Sequence, residues 1–253
     1  MKKNLLFIAK ALTVVAAVAF VSCNKDNKPS RGSYDDDDEE QYEGIVKIDG
    51  DFSDWNGIDC STASLPSDGM TTSTAIRTFK LTGDAMYFYI YAEMDASQLD
   101  MESEWTNPVD IYINSDNNGA TGGIFYLWDP LGYEYLIESN LLAFGEFSDW
   151  SEPTFYKFTG EDGTDMWASN PPAVEQLASA NLCKAAGKIE GGVAKWEMSV
   201  LRALIPGLNN TINVGIMMQS PEWTRIGSLP AGPMVDGEET FEAPLKFTLP
   251  DAI

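Results

Sequence analysis

Met86-Tyr87-Phe88-Tyr89-Ile90-Tyr91-Ala92 is an unbroken run of large, β-prone side chains. A strand with one wet face alternates apolar and polar residues, whereas a strand covered on both faces does not. This run reads as the second kind. Outward from it, the chain consists of short alternating or β-branched and aromatic runs separated by Gly, Asn, Asp and Pro. The candidate strands are Gly44–Ile48, Thr74–Leu81, Met86–Glu93, Val109–Asn114, Gly123–Trp128, Tyr133–Glu138, Pro153–Phe158, Val193–Val200, Thr211–Met218 and Ala243–Thr248, with Leu141–Phe147 as a further one. Only Ala173–Leu182, after Pro171-Pro172, reads as a helix, and Leu201–Ile205 as one turn before Pro206. Many short strands with turn residues between them predict an all-β sandwich with one short helix. No internal repeat is visible.

The N-terminus is of another kind. Lys2 and Lys3 precede an apolar run from Leu5 to Val21, interrupted by Lys10 and closed by Ser22 and Cys23. That order reads as an export signal over residues 1–22. A membrane-spanning helix needs about 20 largely apolar residues, and this run is shorter and carries a lysine. Phe20-Val21-Ser22-Cys23 resembles a loose lipobox of the Gram-negative type. The resemblance implies cleavage before Cys23 and acylation of its sulfur and new amine, and two or more chains hold a protein stably on a membrane. Residues 23–42 are almost free of aliphatic side chains and include six consecutive acids, Asp35 to Glu40, so they read as a disordered, extended tether. Acidic stretches near a lipid cysteine resemble tags for the outer face of the outer membrane. The expected location is therefore the outer membrane facing the exterior, with its periplasmic face as the alternative. Residues 43–253 suit one domain.

Composition excludes several chemistries. Removing Lys2, Lys3 and Lys10 takes the formal net charge from -23 to -26, the opposite of what nucleic acid requires. There is no histidine, which excludes Ser-His-Asp and Cys-His mechanisms and imidazole metal sites. Carboxylate chemistry remains. Besides Cys23, the chain has Cys60 and Cys183. The even count permits one disulfide, and two buried thiols satisfy the sequence equally.

Five segments together resemble the family-9 carbohydrate-binding modules, or DOMON-like domains. They are Ile48–Trp55 (IDGDFSDW), Gly83–Ile90 (GDAMYFYI), Val109–Gly122 (VDIYINSDNNGATG), Tyr133–Glu138 (YEYLIE) and Lys195–Val200 (KWEMSV). The resemblance covers nearly the whole body and implies a two-sheet antiparallel sandwich with a jelly-roll-like path. Within the first segment, Asp49-Gly50-Asp51 reads as a turn with Gly50 free to take positive φ. Trp55 then folds back to plug one end of the sandwich as core.

Asn114-Ser115-Asp116-Asn117-Asn118-Gly119 puts oxygen side chains on alternate positions before a glycine, as in a calcium loop. A helix-loop-helix site is excluded, because its twelfth position would be Phe125. The family resemblance implies a closing ligand at Glu134. Asp116 and Glu134 would supply charge, and Asn114, Asn118 and a carbonyl near Ala120 the remaining oxygens, for a structural calcium ion. The alternative is an ion-free hairpin turn on Asn118-Gly119.

A sugar site needs flat apolar faces for C–H groups and polar atoms for hydroxyls. Of seven tryptophans, Trp55 and Trp196 read as packing, while Trp105, Trp128, Trp150, Trp167 and Trp223 sit in or beside polar, turn-rich stretches. Gln219–Arg225 (QSPEWTR) joins an aromatic to amide, carboxylate and guanidinium groups, and Ser103–Asn107 is similar. Trp105, Trp223, Gln219 and Arg225 are the candidate ligand contacts. With 39 acidic residues no carboxylate pair stands out, so catalysis is not expected. The expectation is a lipid-anchored surface protein that binds polysaccharide or oligosaccharide for partner enzymes or an uptake porin. The alternatives are a protein-interaction module and a carboxylate-dependent glycosidase.

Overall fold

The computed structural model describes residues 44–66, 73–100, 106–128, 132–142, 153–177 and 183–252, which fall in one unit, Tyr42–Ile253. The export signal, Cys23 and the tether lie outside the described residues, as do Trp105 and Trp150. Twelve strands form among the described residues: β1 Ser61–Ser64, β2 Ile76–Gly83, β3 Tyr87–Asp95, β4 Thr106–Asn114, β5 Tyr135–Leu142, β6 Thr154–Phe158, β7 Val174–Leu177, β8 Cys183–Glu190, β9 Val193–Leu201, β10 Thr211–Gln219, β11 Arg225–Leu229 and β12 Leu245–Thr248. The first sheet has the order β1-β2-β3-β9-β8; the second runs β11-β10-β4-β5-β6-β7, with β12 also on β10. Every pairing is antiparallel. The fold is an all-β, two-sheet sandwich.

Period-two alternation sorts each strand between core and outside. Phe88, Ile90 and Met94 of β3 meet Trp196, Met198 and Val200 of β9, and opposite them lie Val109, Ile111 and Ile113 of β4 with Val214 and Ile216 of β10. The intervening residues of β3, Tyr89 and Tyr91, are also buried, beneath Val46, Phe52 and Trp55. The unbroken apolar reading of that strand therefore holds on both faces. Each such large side chain contributes roughly 1.5–3 kcal/mol when withdrawn from water.

Gly50 has φ 79, and Asp51 caps a short 3-10 turn, Phe52–Trp55, by accepting from Ser53 N. Trp55 is core, as expected, but it covers the outer face of the first sheet instead of one end of the sandwich. Its indole donates to Glu197 Oε2 at 2.9 Å, while Glu197 Oε1 accepts Asp49 N and Gly50 N at 3.1 and 2.9 Å. One buried carboxylate of β9 thus fixes the whole entry segment.

Three local readings need correction, and one open alternative is decided. Val174–Leu177 is strand β7, paired with β6, where a helix over Ala173–Leu182 was expected; tertiary pairing overrides propensity there. Gly44–Ile48 and Gly123–Trp128 form no strand: the first is irregular, and the second has a single bridge from Gly123 to Tyr133 before a turn. Strands β1, β8 and β11 were not foreseen, because their small and charged residues hide the alternation. Cys60 and Cys183 are free thiols. They sit at opposite edges of the first sheet, four strand spacings or about 19 Å apart, well beyond disulfide reach.

Candidate functional site

The second sheet buries one face in the sandwich and turns the other outward. On β4, Val109, Ile111 and Ile113 point in, so Asp110 and Tyr112 point out. Cross-strand register sets Glu138 of β5 directly beside Asp110 and Met217 of β10 on its other flank. Tyr156 of β6 and Gln219 of β10 continue this outer face, and together these residues floor a groove of about 490 Å³.

Three loops build the walls. The segment between β4 and β5 brings Phe125 and Tyr126, that between β6 and β7 brings Trp167, and the β10–β11 connection brings Trp223. Phe125 stacks on Tyr112 with centroids 4.1 Å apart and planes 18° apart. Trp167 meets Tyr156 edge-on at 5.6 Å, and its backbone N–H donates to Asp165 Oδ1. Tyr126, Trp167 and Trp223 stay 70%, 44% and 60% exposed, although each is large and apolar. The first two loops are tied together by Ile124 N to Thr164 O, Gly163 N to Gly122 O and Gly122 N to Asp162 Oδ1. Beneath them, Trp128 lies on the sheet where Gly215 leaves room: a Cβ there would fall 2.6 Å from the indole. The Trp128 N–H donates to Pro230 O. The walls therefore stand on a packed base.

Trp223 has φ 63, a left-handed conformation that is unfavourable for a bulky residue. Its loop closes through Trp223 N to Ser220 O and Ser220 N to Thr224 O, just past a register shift in β10 at Met218/Gln219. Bulges and strained residues of this kind cluster where a side chain must be aimed.

The electrostatics of the floor are unusual. Asp110 is only 5% exposed, and its Oδ1 accepts no hydrogen bond. Burial, then the neighbouring Glu138 charge, push its carboxyl up to about 8. Burial also raises Glu138. Among the described residues no lysine or arginine lines the groove. A protonated carboxyl can both donate to and accept from a hydroxyl.

The structure brings Gln219 and Trp223 into the groove but not Arg225. That guanidinium pairs with Glu239, donates to Ser228 Oγ and lies over Phe241. Trp128 is buried base instead of contact, and Trp167 is a wall. Asp110, Tyr112, Tyr126, Glu138 and Tyr156 went unnamed as site residues. For β4 the alternation in VDIYIN signals that Asp110 and Tyr112 share the outer face; which strand lies beside it has no such local signal.

Asn114 ends β4, and Asp116, Asn118 and Glu134 belong to the turn-rich segment that follows it. Most of their oxygens there are engaged locally: Asp116 accepts Asn118 N and Thr121 Oγ, Asn118 Oδ1 accepts Ala120 N, and Glu134 Oε2 accepts Ser115 N and Oγ. Glu134 Oε1 is buried against Gly122 without a hydrogen-bond partner, and burial pushes this carboxyl up to about 7. Among the described residues no three acidic or thiol groups converge as metal ligands do. The hydrogen bonds account for the turn without an ion, and Glu134 Oε1 is an acceptor that no hydrogen bond engages.

No family model and no curated protein matches the chain. Two solved structures similar to it are family-9 carbohydrate-binding modules from Caldicellulosiruptor kristjanssonii, one in complex with cellotriose and one with glucose. Each is 13% identical with a TM-score of 0.41, and the matches cover 82% of this chain and 91% and 93% of theirs. The reading of the site rests on the residues of the groove.

Proposed function

We propose that the sandwich binds glycan non-catalytically in the groove of the second sheet, held at the outer membrane by a lipid on Cys23. The observation that carries this reading is the juxtaposition of three exposed rings, Tyr126, Trp167 and Trp223, around the carboxyls of Asp110 and Glu138. Rings cover the C–H faces of a pyranose, and the carboxyls and Gln219 meet its hydroxyls. Concave aromatic sites with a few convergent polar groups are what ligand pockets look like. Isothermal titration against neutral, amine-bearing and acidic oligosaccharides tests it. Saturable heat that Trp223→Gly reduces supports the reading; no heat with any sugar, with or without calcium, overturns it.

A calcium ion at the Glu134 corner is a subordinate part of the proposal, supported by the partnerless Glu134 Oε1. It would order the loop and perform no chemistry. A calcium-dependent rise in melting temperature that Glu134→Gln removes is the expected result, and identical melting in calcium and chelator would exclude it.

A second reading, a carboxylate-dependent glycosidase, is favoured by the same Asp110–Glu138 pair. Directly opposed strand residues have Cβ atoms about 4.5–5.5 Å apart. Release of shorter sugars, abolished by Asp110→Asn, would establish it; binding without turnover would exclude it.

A further inference from the structure

The lining of the groove is one-sided in charge, and that asymmetry names a ligand class. Resting on the glycan-binding reading, we propose that the groove selects sugars bearing a free amine, the hexosamine class, over neutral and anionic ones. Asp110 is the starting point: it is 5% exposed on the groove floor, and its Oδ1 finds no donor in the folded chain. Glu138 stands beside it on β5, and among the described residues that line the groove there is no cation. The guanidinium beside the Trp223 turn, Arg225, is engaged by Glu239. A buried acceptor without a partner is costly, and a ligand donor that reaches it recovers that cost.

Neutral hydroxyls can donate to these carboxyls, but an ammonium does so with three N–H groups and a charge. Charge-assisted hydrogen bonds are roughly twice as strong as neutral ones. The walls act in the same direction, since aromatic faces within about 6 Å attract a cation. The groups facing Asp110 are Glu138 from β5, Tyr112 on its own strand, Tyr156 from β6 and Tyr126 from the loop above; β10 contributes only Met217 and Gln219. None supplies positive charge. An ammonium would take the place of the proton that burial holds on Asp110 up to about 8. A uronate or sulfate would bring a further acidic group, with no cation among the lining residues to meet it, onto a floor that already holds two carboxyls, so acidic glycans are rejected.

The test is isothermal titration of the purified chain, at physiological salt, with four trisaccharides: glucosamine trimer, its N-acetylated form, cellotriose and trigalacturonate. The proposal expects the glucosamine trimer to bind at least tenfold tighter than the two neutral sugars, with no binding of trigalacturonate. Asp110→Asn removes the preference, bringing the amine-bearing and neutral trimers to within about threefold of each other; Glu138→Gln, a second isosteric variant, reduces it. Equal or tighter binding of the neutral sugars overturns the charge inference and leaves the glycan site standing. Failure of all four overturns the glycan-binding reading and this inference with it. Amine binding that survives Trp223→Gly would trace to the acidic surface at large and would also overturn the proposal.

Discussion

Replacing Trp223 by glycine separates folding from binding at one position. Two terms oppose each other in the fold. Trp223 has φ 63, and a left-handed L-residue costs roughly 1–2 kcal/mol, which glycine avoids. The ring is 60% exposed. The occluded remainder of a side chain that buries about 150–250 Å² is worth roughly 2 kcal/mol at about 25 cal/mol per Å². The terms offset, so Trp223→Gly changes folding stability by about 1 kcal/mol or less. Trp223→Ala loses the same ring and keeps the strain, so it is the less stable variant, reversing the usual order of alanine and glycine. Binding behaves differently. A sugar covering half of the exposed ring withdraws about 75 Å², worth roughly 2 kcal/mol, or a loss of about 25-fold in affinity. Urea denaturation gives the first quantity and isothermal titration the second. A Trp223→Gly protein that binds within twofold of wild type would refute the placement of this ring in the site. Alanine proving more stable than glycine would refute the strain argument.

Three further perturbations follow from named contacts. Gly215→Ala places a Cβ 2.6 Å from the Trp128 indole; overpacking of this kind costs roughly 1–3 kcal/mol, and the displaced base should also weaken sugar affinity, both read by urea midpoint and titration. Glu197→Ala strands the Asp49 and Gly50 amides and the Trp55 indole, so it should cost about 3 kcal/mol or more in urea unfolding while leaving sugar affinity unchanged, because the groove belongs to the other sheet. The pH dependence of stability carries a definite sign. The folded carboxyl of Asp110 is raised from 3.8 to about 8, so its proton-linked contribution is complete below pH 4 and is lost as pH rises through 8. The sugar-free protein therefore unfolds more easily at pH 8 than at pH 5, and Asp110→Asn flattens that slope by up to about 1.4 kcal/mol per pH unit. A parallel slope in the variant would show that Asp110 is solvated.

The fold was readable where side chains repeat with period two. VDIYIN shows its inward residues directly, MYFYIYA shows by its lack of alternation that both its faces are covered, and Asp49-Gly50-Asp51 shows its turn. Strand β8, Cys183–Glu190, carries Ala, Gly and Lys with little contrast, and it is a strand because β9 pairs with it along its whole length. Val174–Leu177 likewise takes its conformation from β6. The site divides in the same way. Trp223 and Gln219 share one turn, so a local reading finds them together. Asp110 and Glu138 are 28 residues apart in sequence, and only the β4–β5 register makes them neighbours. Arg225 shows the converse: its composition suits a sugar site, but a carboxylate 14 residues on, Glu239, holds it elsewhere.

The central claim is that the outward face of the second sheet is where sugar sits. A crystal structure of the protein grown with a bound oligosaccharide tests it most directly. The account predicts a pyranose ring packed against Trp223 or Trp167, with its polar groups on Asp110 and Glu138. Sugar seated on another surface, with the groove holding only solvent, would contradict it.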